Sequence, residues 1–156
     1  EYNVYAGQQF ERSIGMQGSW FKHGYNNVYY MPARDAARFG VLMLNEGVWD
    51  GQVILEDQNY RQAMISPSQD LNPSYGYLWW LNGQEKIILP GLPTALSTSA
   101  APQAPADLYA GMGKNGQFVD VVPSQNLVVI RMGMAPDDAL VPVLFHDEMW
   151  RLIGAL

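Results

Sequence analysis

The chain has 156 residues, of which 48% are hydrophobic, enough for one domain with an apolar core. Its net charge of −6 and its lack of any run of Lys or Arg argue against a nucleic-acid partner or an anionic membrane surface. No apolar run approaches the ~20 residues of a membrane span. The absence of cysteine excludes disulfides, thiolate metal sites and a cysteine nucleophile.

The first part of the chain predicts two helices separated by an irregular segment. Apolar residues recur at helical spacing over 2–14, and Gly15 follows as a stop signal. Residues 16–30 show no clean periodicity, so we expect irregular structure there. A second helix should begin at Pro32, with Asp35 near its positive end and Gly47 as C-cap. Because the chain starts inside a helix, we expect it to be cut from a longer protein.

The middle of the chain predicts short elements and one long loop. A turn is expected at residues 49–52 and a short helix over 57–65. Aromatic residues over 75–80 predict a strand, and they fit the core better than the wall of a substrate cleft. Residues 83–106 are rich in Pro, Ala, Ser and Thr, and we expect them to form a mobile flap.

The last third predicts a β-rich unit followed by a helix. A strand is expected over 107–112, and two further runs flank a turn at residues 123–126 that ends at Asn126, which indicates an antiparallel hairpin. Residues 137–156 carry an apolar stripe, with Asp137 and Asp138 as expected helix caps. The fold class is therefore predicted as α+β: an antiparallel sheet with the C-terminal helix packed across one face.

Several segments resemble the C-terminal portion of the class C β-lactamase-like serine hydrolases, a family that includes penicillin-recognising enzymes, esterases and amide hydrolases. The most specific segment is Ala33-Arg34-Asp35-Ala36-Ala37-Arg38-Phe39-Gly40; the others are Ile14-Gly15-Met16, Gly47-Val48-Trp49-Asp50-Gly51-Gln52, Tyr75-Gly76-Tyr77-Leu78-Trp79-Trp80, and the stretch from Gly116-Gln117-Phe118 to Val128-Val129. The resemblance covers essentially residues 1–156, which would form the C-terminal portion of one β-lactamase-like domain whose N-terminal catalytic part is not in this chain.

The resemblance implies a site at the Gly113-Lys114-Asn115-Gly116 tetrapeptide, which falls between two predicted strands. In the family a strand beside the cleft carries Lys-Thr-Gly, and Lys114-Asn115-Gly116 matches it with Asn in place of Thr. Lys114 would supply positive charge, the backbone N–H of Gln117 would help to form an oxyanion hole, and Asn115 and Gly116 would contact substrate. The alternative for Lys114 is an ordinary solvated lysine at the end of a strand.

The family's other two motifs have partial matches. Ser19-Trp20-Phe21-Lys22 matches Ser-x-x-Lys and Tyr25-Asn26-Asn27 matches Tyr-x-Asn. The mechanism requires the serine and the lysine on one helical turn, and Gly18 and Gly24 make a helix there doubtful. We therefore expect coincidental matches and a nucleophile upstream of this chain. His23 and His146 lack a metal-ligand pattern and are expected at the surface or in hydrogen bonds.

The resemblance implies that the parent protein is a periplasmic or extracytoplasmic hydrolase that cleaves an amide, an ester or a β-lactam without a metal or organic cofactor. The isolated chain should be inactive and, lacking the rest of its domain, should self-associate or swap elements. Two alternatives remain open: a non-catalytic ligand-binding relative on the same scaffold, and a stand-alone chain that uses Ser19 and Lys22.

Overall fold

The computed structural model describes residues 2–136 and 138–156. The N-terminal segment is helical throughout, as expected: α1 spans Tyr2–Ala6, a π-helical turn spans Gly7–Glu11, and α2 spans Arg12–Ile14. Gly15 ends this segment with a φ of 73°, a conformation that glycine adopts without strain. The predicted helix over 2–14 and its stop signal are confirmed.

Residues 16–30 contain regular structure, so the prediction of an irregular segment was wrong. Strands β1 (Ser19–His23) and β2 (Asn26–Tyr30) form an antiparallel hairpin closed by Gly24 and Tyr25. The alternation that marks a half-buried strand is missing, because most of these side chains are exposed on both faces of the hairpin. The aromatic and β-branched content of the two strands was the usable signal.

The second predicted helix is confirmed as α3 (Ala33–Leu44), with Pro32 at the N-cap position. Its Asp35 is buried, where the carboxylate pairs with Arg38 at 2.8 Å and accepts a hydrogen bond from the backbone N–H of Gln17 at 2.5 Å. The predicted C-cap was wrong: Asn45 occupies that position, and Gly47 follows two residues later with a φ of 85°.

Short elements follow α3, as predicted. Strands β3 (Val48–Trp49) and β4 (Gln52–Val53) pair around the expected turn, where Asp50 and Gly51 both have positive φ. Helix α4 (Gln58–Met64) begins at Asp57, whose carboxylate accepts a hydrogen bond from the backbone N–H of Tyr60.

The aromatic segment 75–80 is not one strand. Only Trp80–Leu81 is a strand, β5, and a single bridge joins Trp80 to Tyr75 across a tight turn in which Leu78 has a φ of 65°. Trp79 and Trp80 are buried, which confirms the core assignment for these two side chains, whereas Tyr77 is 43% exposed and contacts the ring of Tyr60. The reversal before Trp79 therefore overrides the local strand propensity.

The main sheet has four antiparallel strands in the order β5-β6-β7-β8, where β6 is Tyr109–Gly113, β7 is Gln117–Val122 and β8 is Leu127–Arg131. The predicted third strand and hairpin are confirmed, and Asn126 adopts the left-handed conformation with a φ of 49°. Helix α3 packs on one face, where Gly40 lies against Val128 and Val119. Alternate strand residues point to opposite faces, so both faces of this sheet are available for helices.

Helix α5 (Val143–Ile153) covers the opposite face, which confirms the α+β class and the packing of the C-terminal helix. The expected start of this helix was wrong: Pro142 occupies the N-cap position, so Asp138 lies outside the helix and does not cap it, and Asp137 lies outside the described residues. Among the described residues, no helix combines the length and the apolar character needed to cross a bilayer.

Residues 83–106 form the predicted long loop, but its ends are anchored in the core. Ile87 and Ala101 are almost fully buried. The buried side chain of Asn82 exchanges two 2.9 Å hydrogen bonds with the backbone of Ala101 and donates to the carbonyl of Pro105 at 3.0 Å. Exposed residues are continuous only from Pro90 to Thr98, so a free flap would be confined to this part.

Candidate active site

The predicted site residues occupy the turn that joins β6 to β7. Lys114–Gly116 form a 3-10 turn, and Asn115 and Gly116 both have positive φ, at 63° and 78°. Asn tolerates this conformation better than other non-glycine residues, which gives a backbone reason for Asn at position 115. The family resemblance predicts the motif on a strand, whereas here it lies in the turn between two strands.

The turn is fixed from below by Arg131 at the end of β8. The Nη1 atom of Arg131 donates to the carbonyls of Asn115 at 3.3 Å, Gly116 at 3.0 Å and Gly133 at 2.8 Å, and its Nη2 atom donates to the carbonyl of Met134. A Cβ on Gly116 would lie 2.8 Å from Nη1, so only glycine leaves room for the guanidinium. Arg131 therefore holds the turn in one conformation.

Two further contacts complete this brace. The guanidinium of Arg131 lies 4.8 Å from the ring centroid of Phe145 on α5, a cation–π geometry. The side chain of Gln117 donates to the carbonyl of Gly133 at 2.6 Å and accepts from its backbone N–H at 3.1 Å. Sequence reasoning missed Arg131; a single arginine at the end of an apolar strand was the available signal.

The four predicted residues differ in accessibility. Lys114 and Asn115 are exposed, Gln117 is half-buried and Gly116 is buried. No hydrogen bond or salt bridge engages the Lys114 ammonium within residues 2–136 and 138–156. The side chain of Gln117 bonds Gly133, and its backbone faces Gly113 at the end of the β6–β7 ladder.

Ser19 and Lys22 do not form a serine–lysine pair. Both lie on β1, where residues three apart point to opposite faces and are separated by roughly 10 Å along the strand. Tyr25 sits in the hairpin turn and is fully exposed. The expectation that no helix carries Ser19 and Lys22 is confirmed.

A buried polar cluster under β7 is the largest feature that sequence reasoning missed. Asp120, His146 and Trp150 are 0%, 1% and 2% exposed. Asp120 Oδ2 lies 2.7 Å from His146 Nε2 and accepts from Trp150 Nε1 at 2.8 Å. The expectation of a surface or a hydrogen-bonded position is confirmed for both histidines: His146 is hydrogen-bonded and buried, and His23 is exposed and lies 3.0 Å from the Tyr30 hydroxyl. An aspartate inside the apolar run of β7 was the signal for this cluster.

Trp150 Nε1 also lies 3.2 Å from His146 Nε2, so the three polar groups of this cluster meet at one point. Asp120 Oδ1 and His146 Nδ1 have no partner among the described residues. Since all three side chains are sealed from solvent, the cluster has no route to a substrate. It joins α5 to the sheet.

The cluster and the turn share one support. The ring of Phe118, at the start of β7, packs edge-on against His146 at 4.7 Å and lies 6.0 Å from the ring of Phe145. The Phe145 ring in turn contacts the guanidinium of Arg131. Helix α5 therefore contacts both the buried cluster and the residue that fixes the turn.

No protein-family model matches the sequence, and no curated protein matches it.

Proposed function

We propose that this chain is the C-terminal part of a β-lactamase-related serine hydrolase, which transfers an acyl group from an amide, an ester or a β-lactam to a serine outside residues 1–156. One observation carries the proposal. The turn that bears the family-like motif is fixed by Arg131 and Gln117, and it presents to solvent the Lys114 ammonium, which has no partner among the described residues. A cation on a fixed backbone is an arrangement that suits charge stabilisation in a transition state.

Each residue of the turn has a separate role in the proposal. Lys114 stabilises negative charge on the substrate or on the oxyanion that develops as the serine attacks. The backbone N–H of Gln117 is the proposed second donor to that oxygen. Asn115 offers an exposed amide to the substrate, and Gly116 allows Arg131 to approach the turn. Because the contacts of Arg131 and Gln117 with the turn exist before substrate binds, the turn does not have to rearrange during the reaction.

The geometry of β1 supports placing the nucleophile elsewhere. A lysine can help to deprotonate a serine only within hydrogen-bond reach. Ser19 and Lys22 point to opposite faces of a strand, so neither can serve the other. The proposal therefore assigns Ser19 and Lys22 no catalytic role.

Replacement of Lys114 tests the proposal in the complete protein. Lys114→Ala should lower kcat/KM by roughly 10²-fold or more with little change in melting temperature, on the scale of losing one electrostatic contact in the transition state. Lys114→Arg should recover only part of the loss, because a planar guanidinium directs its charge differently from a compact ammonium.

Lys22→Ala is the matched control, since Lys22 is also an exposed lysine of this chain. We expect it to leave kcat/KM within twofold of wild type. The proposal fails if Lys114→Ala also leaves kcat/KM within twofold of wild type, because a solvated surface lysine is replaceable without kinetic consequence.

A further inference from the structure

A polar cavity lies between the N-terminal helical segment and the β1–β2 hairpin, away from the Lys114 turn. Its volume is about 300 Å³, and its walls come from both elements. The lining residues are Asn3, Gly7, Glu11, Met16, Gln17, Gly18, Ser19 and Tyr29. A space of this size accommodates a small organic molecule, and its walls are more polar than those of an ordinary packing defect.

The walls of this cavity are held by hydrogen bonds that do not involve the exposed Glu11 carboxylate or the Ser19 hydroxyl. The Asn3 side chain accepts from the backbone N–H of Trp20 at 2.6 Å and donates to its carbonyl at 3.2 Å, which ties the helical segment to β1. The backbone N–H of Gln17 is taken by Asp35 at 2.5 Å. These bonds leave the Glu11 carboxylate and the Ser19 hydroxyl without a side-chain partner among the described residues.

The electrostatic character of the cavity is negative. Among the lining residues that the structure describes, Glu11 is the one carboxylate and none is Lys or Arg. The nearby Asp35 carboxylate pairs with Arg38 at 2.8 Å. The pKa of Tyr29 is raised, first by burial, then by the negative charge of Asp35 and also by that of Glu11, whereas a backbone hydrogen bond from Gly18 opposes the shift. The charge of Glu11 therefore acts on the phenol inside the cavity.

Two glycines lie next to these groups, Gly7 beside the Glu11 carboxylate and Gly18 in close contact with the Tyr29 ring. A Cβ on Gly7 would lie 3.4 Å from Glu11 Oε2, and a Cβ on Gly18 would lie 2.6 Å from the Tyr29 ring. Gly7 belongs to the π-helical turn, a distortion that often accompanies binding sites in helices. Larger residues at either position would occupy the volume in front of the carboxylate or displace the phenol.

We propose that this cavity binds a small organic ligand through a primary ammonium group, which pairs with Glu11 and donates hydrogen bonds to the oxygens of Ser19 and Tyr29. Three N–H donors on one nitrogen match one carboxylate and two hydroxyl oxygens. A metal ion fits less well, since no cluster of three or more His, Cys, Asp or Glu exists within the described part of the chain. The site is separate from the proposed hydrolase chemistry and uses none of its residues.

Titration of the complete protein with n-propylammonium chloride, followed by ¹H–¹⁵N NMR of the assigned amides at constant ionic strength, tests this assignment. We expect saturable shifts of the Gly7, Gly18 and Ser19 amides with a Kd of roughly 1–10 mM, in the range for one partly exposed ion pair with two hydrogen bonds. Glu11→Gln should weaken binding at least 5-fold. Glu85→Gln, which removes the same charge from an exposed loop position, should change it less than 2-fold.

A second variant and a second cation separate a specific site from general charge attraction. Gly7→Leu retains the carboxylate but fills the space beside it, and should also weaken binding at least 5-fold. Tetramethylammonium has the same charge without N–H donors, and should bind at least 5-fold more weakly than n-propylammonium. The proposal is overturned if the shifts do not saturate below 50 mM, if Glu11→Gln and Glu85→Gln act equally, or if the two cations bind equally.

Discussion

At the scale of single residues, the buried Asp120–His146–Trp150 cluster accounts for how α5 is held on the sheet. Taking a carboxylate and an imidazole out of water is costly unless each finds a partner, and here one Asp120 oxygen serves both neighbours. The cost of removing one partner should exceed the net value of the pair, because the other partner then stays buried without compensation.

His146→Ala should therefore lower the free energy of unfolding by about 3–5 kcal/mol, since the buried Asp120 carboxylate then keeps only the Trp150 N–H as a partner. Urea denaturation of the complete protein measures this. The double variant Asp120→Val, His146→Leu should recover only part of the loss, because it removes the underpaired carboxylate but leaves the buried Trp150 N–H without its acceptors. His23→Ala, at the exposed histidine, serves as control and should cost less than about 0.5 kcal/mol. A single-variant loss no larger than that of the control would contradict a structural role for the cluster.

Tyr109 gives the fold a dependence on alkaline pH. Burial raises its pKa to about 12, with Arg61 opposing the shift. The neutral phenol is thus favoured in the folded state, so its contribution is complete below pH 10, the ordinary pKa, and is lost as the pH rises toward 12. The unfolding free energy should fall by up to about 2–3 kcal/mol across this window.

Tyr109→Phe should remove most of this slope in denaturation measured at several alkaline pH values. A smaller slope should remain, because the pKa values of Tyr29 and Tyr75 are raised as well. Tyr25→Phe is the matched control, since Tyr25 is fully exposed and should leave the slope unchanged. An equal slope in Tyr109→Phe and wild type would show that the phenol does not set the alkaline limit.

At the scale of elements, the sequence predicts a segment well where one physical signal dominates. Helix α3 carries an N-terminal Pro and a clear apolar face, and β7 and β8 flank a turn that ends in Asn126, so all three follow from local pattern. The hairpin β1–β2 lacks a buried face to give it alternation. The start of α5 was misplaced because two aspartates resembled a cap, while Pro142 occupies the N-cap position.

The contact between α3 and the sheet depends on Gly40. A Cβ at this position would lie 2.5 Å from Val128 Cγ1, too close for any real contact. Gly40→Ala should destabilise the chain by about 1–2 kcal/mol, because the clash outweighs the helix propensity that Ala adds.

In the background of Val128→Ala the same substitution should change sign and stabilise by about 0.5–1 kcal/mol, since only the propensity gain remains. A double-mutant cycle in thermal or urea denaturation provides the measurement. Additive effects of the two changes would mean that helix and sheet do not meet at this pair.

At the scale of the whole molecule, the chain places its core on both faces of one sheet, with α3 on one side and α5 on the other. The position of Lys114–Gln117 at a junction of two strands was predictable because the residues are contiguous in sequence, whereas their role in a site stays a prediction. The contribution of Arg131, which fixes their conformation, was not predictable, because its hydrogen bonds to the turn form only when β8 pairs with β7. Exposed leucines at positions 92, 96, 140 and 144 are consistent with the expected self-association, which stays a prediction.

In the proposed reaction, acyl transfer uses a serine outside residues 1–156 together with the Lys114 turn. Labelling of the complete protein with a penicillin or an activated-ester probe, followed by peptide mapping by mass spectrometry, locates that serine. We expect one labelled serine outside residues 1–156 and no adduct on the isolated 156-residue chain. A stable acyl group on Ser19, or no labelled serine anywhere in the complete protein, would overturn the proposed reaction.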